Sequence, residues 1–278
     1  MTPQDFHLMS TLVRERSGLV LSEDKAYLLE SRLTPITRKY GMKSLDDLVD
    51  AIKTKRDEDL IGEVVEAMTT NESLFFRDTK PFDQLRDIVF PQLIDARAGS
   101  KRLRIWSAAC SSGQEPYSVA MLIKESVPKL ANWNVEIVAT DLSEEILKRA
   151  RSGIYSQFEV QRGLPITMLV KYFKQDGDRW EIDPEIRSMV TYKPFNLLDD
   201  PSDLGTFDIV MCRNVLIYFE QETKSQVLSR ICNLMPSDGT LYLGGAETVL
   251  GISDVFQPVP GQRGLYRKQT AEPTRLSA

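Results

Sequence analysis

The sequence predicts an α/β protein. A small all-α N-terminal domain precedes a Rossmann-like domain with a mostly parallel sheet and a small β insert. Three observations predict this. Through residue 75, apolar residues recur at spacings of three and four, with no strand alternation. From about residue 100, short apolar β-rich runs alternate with helical segments. Between 152 and 192 that alternation lapses, and an Asp-Gly-Asp turn at 176–178 marks a hairpin.

The N-terminal helices follow from Phe6, Leu8, Met9, Leu12 and Val13, then Tyr27, Leu28, Leu29 and Leu33, then Leu45, Leu48, Val49 and Ile52, then Leu60, Ile61, Val64, Val65 and Met68. Breaks fall at Ser17-Gly18 and Tyr40-Gly41, and Pro35 threatens a kink inside the second helix. A linker helix is expected over 76–99. LRIWSAA then reads as a strand and EPYSVAMLIKESV as a helix stopped by Pro128. VEIVATD is a strand, SEEILKRARSG a helix, FDIVMCRNV a strand, QETKSQVLSRICNLM a helix and GTLYLGG a strand. Strands apolar throughout have both faces covered, as in a parallel sheet. VFQPVP and GLYRKQT flank a glycine-bearing turn and predict a closing hairpin. The expected domains are 1–75 (helical), 76–99 (linker helix), 100–268 (sheet domain, insert at about 152–192) and 269–278 (flexible tail).

The totals exclude several functions. A net charge of −5, from 35 basic and 40 acidic residues, argues against a general nucleic-acid binder. No apolar run reaches the roughly 18 residues of a membrane span, and MTPQDFHLMS lacks the pattern of a signal peptide. Cys110, Cys212 and Cys232 are odd in number and form no CxxC, which predicts reduced thiols in a cytosolic protein and no structural metal. His7, the one histidine, sits near the N-terminus, so chemistry must run without a histidine base.

In an open α/β sheet, ligands bind beyond the carboxyl ends of the strands. After the first strand comes SAACSSGQEPYS, with Gly113 and Glu115; after the second comes Asp141; PFNLLDD brings Asn196 and Leu197; CRNVLIYF brings Asn214, Val215 and Tyr218. Asp141 suits a ribose diol. One glycine is too few for a dinucleotide loop, a Walker lysine is missing, and Glu115 stands where a pyrophosphate would lie. S-adenosylmethionine has adenosine without phosphate and ends in an ammonium that Glu115 can accept from. Asn196 and Leu197 can frame its adenine. Glu115-Pro116 also reads as an ordinary helix start. Asp141 and Asn196 in matching positions favour the ligand. Ahead of the sheet, MTTNESLFFRD reads as a cap with a buried phenylalanine pair, which leaves Arg77 unexplained.

These segments resemble a known family. TTNESLFFRD, WSAACSSGQEPYS, CRNVLIYF and GLVLSEDKAYLLESRL resemble four ordered signatures of the CheR-type chemoreceptor methyltransferases, and the likeness runs from about residue 5 to 268. The resemblance implies a class I S-adenosylmethionine methyltransferase domain with a small β-subdomain. It implies methyl transfer to glutamates on the cytoplasmic methylation helices of chemoreceptors, with S-adenosylhomocysteine as product and no metal. It places cofactor contacts at Asn71, Ser73, Arg77, Glu115, Asp141, Asn196, Leu197, Asn214 and Val215. Ser73 stands where threonine is common, and Gln114 where a second glutamate is common.

A glutamate carboxylate is ionised at neutral pH and needs no base to attack a methyl group, which fits the missing histidine. Arg77 and Tyr218 are the candidates for positioning it. Lys25, Arg32 and Lys39, at seven-residue spacing with Arg38 beside the last, form either a solvated stripe or, as the resemblance implies, the surface that meets the receptor. KYFKQDGDRWEIDPEIR is shorter than the loop of relatives that dock on a receptor pentapeptide, so tether-independent action is expected. The protein is expected to be a cytoplasmic monomer recruited to receptor arrays, without nucleic-acid binding or membrane insertion. A methyltransferase for another substrate and a non-catalytic sensor of the cofactor or its product are the alternatives.

Overall fold

The computed structural model describes residues 2–55, 57–126 and 128–269. The chain divides into two compact bodies, one of Met1–Thr70 with Tyr218–Thr223 and one of Asn71–Ile217 with Lys224–Ala278. Among the described residues, no helix is long and apolar enough to cross a membrane.

Among the described residues, the first body contains the α-helices α1 (Pro3–Ser17), α2 (Ala26–Lys39), α3 (Leu45–Lys55) and α4 (Glu58–Met68). Their buried faces carry the predicted periodic residues, among them Met9, Val13, Leu29, Leu33, Leu48, Ile52, Leu60, Val64 and Met68. Gly18, at φ 78°, ends α1 in the left-handed conformation that glycine adopts without penalty. Pro35 lies within α2 on its exposed side, and the helix runs on unbroken to Lys39. Asp57 caps α4 by accepting from the N–H groups of Asp59 and Leu60.

The second body carries the sheet. Phe76, Asp78 and Thr79 all have positive φ, so the linker helix expected from residue 76 begins at Lys80. It runs as α5 (Lys80–Gln84) and α6 (Phe90–Ala96), joined by one wide π turn over Leu85–Val89 just before Pro91. Then come β1 (Arg102–Ala108), α7 (Gln114–Ser126), β2 (Asn134–Asp141) and α8 (Glu144–Ser152). The insert contains β3 (Ile154–Ser156), α9 (Gln157–Gln161), α10 (Ile166–Tyr172), β4 (Phe173–Asp176), β5 (Arg179–Ile182) and α11 (Pro184–Ser188). After it the chain forms β6 (Val190–Pro194), β7 (Ile209–Cys212), α12 (Gln221–Asn233), β8 (Thr240–Leu243), β9 (Phe256–Pro258) and β10 (Leu265–Lys268). Of the tail expected from 269, only Gln269 falls within the described residues, and its N–H donates to Val255 O at 2.9 Å.

The seven-stranded sheet has the order β6-β2-β1-β7-β8-β10-β9. Its first five strands are parallel, and β10 runs antiparallel to both β8 and β9. The insert forms a separate antiparallel sheet, β3-β5-β4, with β4 and β5 joined across Gly177 and Asp178. One strand departs from the sequence reading. β6 belongs to the main sheet, whereas residues up to 192 were expected in the insert. It is an edge strand with Val190 buried, Thr191 and Lys193 exposed and Pro194 last, so it lacks the apolar run that marks the central strands.

In the helical body, Asp5 accepts from Thr2 in a capping box and from Lys53 Nζ at 2.7 Å, across to α3. Its bonds with Lys53 and then Thr2 hold the Asp5 carboxyl far below the usual carboxylate range. A depressed pKa adds stability that is full above the unfolded value of about 4 and is lost as pH falls below it. Asp5→Asn should therefore lower the melting temperature at pH 7, and the gap to wild type should close on acidification below about pH 4. Circular dichroism melts across that range check this, and a gap independent of pH would count against it.

Candidate functional site

The sheet register brings four loops to one rim. Ala108 of β1 stands beside Thr140 of β2 and Cys212 of β7, and Asp141 stands beside Pro194 of β6. The segments 109–115, 141–143, 195–198 and 213–217 therefore share the carboxyl edge of the sheet. From β1 the chain winds to one side through β2 and β6, then to the other through β7 and β8. The topological switch point lies between β1 and β7, where open sheets hold their ligands.

Backbone strain concentrates on this rim and on the segment that leads to it. Among the described residues, the non-glycine positions with positive φ are Phe76 (48°), Asp78 (68°), Thr79 (48°), Ala109 (58°), Ser111 (51°), Asn214 (59°) and the distant Lys101 (49°). Such conformations cost about 1–3 kcal/mol each and persist where surrounding contacts enforce them. The enforcing contacts can be named.

The turn after β1 is tied down through its own N–H groups. Cys110 N donates to Thr140 O, Gly113 N to Cys110 O and Ser111 N to Asp141 Oδ2 at 2.8 Å. Asp141 is oriented from the other side by Ser143 N at 3.1 Å. Gly113 has φ 89°, and a Cβ there would lie 2.6 Å from Tyr192 Oη, so packing beneath the turn requires glycine as well as the turn itself. Buried Gln114 accepts from Ser112 Oγ at 2.8 Å, which gives it a turn-closing role that the sequence reading lacked.

Glu115, in the first turn of α7, is buried, and both carboxylate oxygens are occupied. Oε1 accepts from Ser107 Oγ at 2.8 Å and Oε2 from Arg213 Nη1 at 2.9 Å. Burial pushes the Glu115 carboxyl above its ordinary value, opposed mainly by the Arg213 charge and then by Ser107 and Arg77. The sequence reading left this charge to a ligand's ammonium. In the structure the protein supplies its own cation, Arg213, whose side chain is 1% exposed. Arg213 Nη2 also donates to Arg77 O at 2.9 Å and to Asp78 Oδ2 at 2.7 Å. One guanidinium thus joins β7, α7 and the strained 76–79 run.

The segment 71–78 is held at further points. Ser111 Oγ donates to Asn71 O, and Phe76 N donates to the buried Ser118 Oγ. Phe75 packs edge-on against Tyr155 and Phe173 of the insert, with ring centroids 4.9 and 5.5 Å away. A Cβ on Gly163 would meet Phe75 O at 2.0 Å, so only glycine allows this approach. Ser73 is half-buried, and Arg77, also half-buried, donates from Nη1 to Glu72 O. After β6, Phe195 N donates to Asp141 O, Asn196 Oδ1 accepts from Leu198 N at 3.0 Å, and Leu197 is buried. After β7, the N–H groups of Asn214 and Val215 donate to Glu247.

The structure therefore brings Asn71, Arg77, Gly113, Glu115, Asp141, Asn196, Asn214 and Val215 into one connected rim, with Ser73 and Leu197 on the same segments. Tyr218 and the basic residues belong to the helical body. There the Tyr218 carbonyl accepts from Val20 N at 2.9 Å. Arg32 turns to its own body: Nη1 donates to the Met68 and Thr69 carbonyls at 2.6 and 2.9 Å, capping the end of α4. Lys39 pairs with Glu63, and Lys25 and Arg38 are exposed.

Sequence reasoning passed over Arg213, Ser107, Asp78, Gly163 and Glu247. Arg213 stood inside the quoted CRNVLIYF segment, next to the residues that were chosen. A separate cavity of about 650 Å³, lined by Arg97, Arg104, Asp208 and Asp238 among others, opens at the amino ends of the strands. Its arginines are committed, Arg97 to Asp208 and Asp238 and Arg104 to Glu136, so it does not compete as the site.

The rim suits a ligand without phosphates. The N–H groups of Ser111, Gly113, Asn214 and Val215 already serve Asp141, Cys110 O and Glu247, whereas a pyrophosphate loop offers such groups to the ligand. Carboxylates at Asp141 and Glu115, and the buried Arg213 Nε, which has no partner among the described residues, are donors and acceptors suited to hydroxyl and amino-acid groups. S-adenosylmethionine fits this set.

Comparison with known proteins agrees. The family described as "CheR methyltransferase, all-alpha domain" matches residues 4–69, and "CheR methyltransferase, SAM binding domain" matches residues 71–265. The chain is 46% identical over 269 residues to Chemotaxis protein methyltransferase 1 of Pseudomonas aeruginosa, covering 95% of this chain and 97% of that one. It is 44% identical to Chemotaxis protein methyltransferase Cher2 of Pseudomonas putida, with coverage of 94% and 96%. It is 39% identical to Chemotaxis protein methyltransferase 1 of Vibrio cholerae, with coverage of 96% and 98%.

Removing one partner of a buried ion pair strands the other charge, at about 3–5 kcal/mol. Arg213→Met should destabilise the sheet body by that order, and adding Glu115→Gln should recover much of the loss. All three tryptophans, Trp106, Trp133 and Trp180, lie in that body, so urea titration followed by tryptophan fluorescence isolates it. Strictly additive losses would contradict the coupling.

Proposed function

The chain belongs to the CheR methyltransferase family, and from that premise we propose that it transfers a methyl group from S-adenosylmethionine to glutamate side chains of bacterial chemoreceptors. The products are glutamate methyl esters and S-adenosylhomocysteine. The observation that carries this reading is the acid-lined, hydrogen-bonded rim at the β1/β7 switch point, which offers carboxylates where a phosphate-binding loop would offer N–H groups.

The donor supplies an electrophilic methyl group on a sulfonium that departs as a neutral thioether. The protein's own tasks are binding, orientation and exclusion of water. Asp141, held by Ser111 N and Ser143 N, receives the ribose hydroxyls. Asn196 and Leu197 frame the adenine. Glu115, oriented by Arg213 and Ser107, accepts from the ammonium of the amino-acid end. Asn71, Ser73, Gly113, Asn214 and Val215 complete the cofactor contacts. Arg77 and Tyr218 position the incoming carboxylate. No residue has to remove a proton from a nucleophile that is already ionised at neutral pH.

Lys25, Arg38 and Lys39 of the helical body serve as the receptor-facing cations, while Arg32 caps α4 and supports that surface. The protein acts as a cytoplasmic monomer recruited to receptor arrays. The two-residue link between β4 and β5 supports action without a pentapeptide tether.

Labelled methyl donor and receptor membranes test the reading. Base-labile label on receptor glutamate is the expected outcome; retained cofactor binding with no transfer would leave a sensor instead. In the same assay Arg77→Ala should lower turnover about a hundredfold, the scale of one lost preorganised donor, with little change in melting temperature. An active, normally folded variant removes Arg77 from its role.

Arg38→Glu should raise KM for receptor several-fold, with the effect shrinking at high salt, and leave cofactor binding unchanged. Arg32→Glu should instead lower the melting temperature, because it strips the α4 cap. A receptor C-terminal pentapeptide added to this assay should not compete; clear competition would restore the tether.

A further inference from the structure

The loop after β8, Gly244-Gly245-Ala246-Glu247, has no part in the chemistry above, yet Glu247 is buried at 9% exposure and takes four backbone hydrogen bonds. Oε2 accepts from Asn214 N at 2.8 Å and Gly244 N at 2.6 Å. Oε1 accepts from Val215 N at 3.0 Å and Ile217 N at 3.2 Å. Converging backbone N–H groups of this kind form a nest that ordinarily binds an anion from outside. Here the anion is a side chain of the same body.

We propose that Glu247 is the positioning residue of the β7 rim, holding Asn214 and Val215 in the backbone conformation in which they meet S-adenosylmethionine. The proposal rests on reading that rim as the cofactor site. Three of the four donors come from the turn after β7, and Asn214 has positive φ, so the turn is strained and needs an enforcing contact. A carboxylate has acceptor sites for all four N–H groups, and charge assistance strengthens each bond. A glutamine at this position would turn its NH₂ toward N–H donors on one side.

The geometry around Glu247 is built for this contact. A Cβ on Gly244 would lie 2.6 Å from Asn214 Nδ2 and 2.8 Å from Glu247 Oε2, so glycine alone leaves room for both. The Glu247 carbonyl is met from β10 by Tyr266 Oη at 3.4 Å, and Glu247 N donates to Gly244 O at 2.9 Å. The β7–β8 ladder from Ile209↔Thr240 to Cys212↔Leu243 does not pass through this side chain. Losing the carboxylate should therefore release the rim and spare the strands.

The test uses the full chain, titration calorimetry with S-adenosylhomocysteine, and residue-resolved amide exchange. Glu247→Gln should weaken product binding about tenfold or more, the effect of losing one charge-assisted bond. Exchange should accelerate at residues 214, 215, 217 and 244, while β7 and β8 stay protected. Formate, supplying a carboxylate, should restore binding to Glu247→Ala. Binding by Glu247→Gln within twofold of wild type overturns the proposal. So does a variant that unfolds or loses protection throughout β7 and β8, with formate unable to rescue Glu247→Ala. A wild-type chain that binds no S-adenosylhomocysteine overturns the cofactor reading itself, which separates the two failures.

Discussion

The buried contact between Arg213 and Glu115 is the constraint on which the rim depends. A guanidinium taken out of water loses solvation that a single partner cannot replace. Arg213 meets this with three acceptors from two segments: Glu115 Oε2, Arg77 O and Asp78 Oδ2. Two of these bonds pin Arg77 and Asp78 within the 76–79 run, where Phe76, Asp78 and Thr79 all have positive φ. Desolvation of one side chain and strain in a distant segment are thus offset by one set of contacts. That set also fixes the start of α7 against the end of β7, the two elements that border the switch point.

This dependence explains what could be read from the sequence. β7 and β8 are buried on both faces, and β1 and β2 become so toward their carboxyl ends, so short apolar runs mark them. The glycine break that ends α1 and the hairpin turn are local signals of a few residues and were equally legible. β6 was missed because an edge strand needs only one buried side and can end in proline. Pro35 was over-weighted, since a proline on an exposed helix face forfeits one bond without disturbing packing. Arg213 and Glu247 were missed for another reason. Their partners lie 98 and about 30 residues away, and no periodicity records a contact between loops. Arg32 shows the converse error, since even spacing suggested a shared outward face while its guanidinium turns to the Met68 and Thr69 carbonyls.

The carboxylates of the rim hold three different positions. Asp141 is oriented by two backbone N–H groups. Glu115 is neutralised by a buried cation. Glu247 fills a nest of four N–H groups. Asp141 and Glu247 engage backbone N–H groups of the kind that a nucleotide-binding loop leaves facing its ligand. Phosphate selectivity depends on N–H groups left unoccupied. When those groups are closed internally, a polyphosphate finds fewer backbone donors. A ligand that ends in hydroxyls and an ammonium meets acceptors. On this rim Asp141 and Glu247 hold backbone N–H groups that a phosphate would otherwise need, and the single glycine of the first loop is the trace of that arrangement in the sequence.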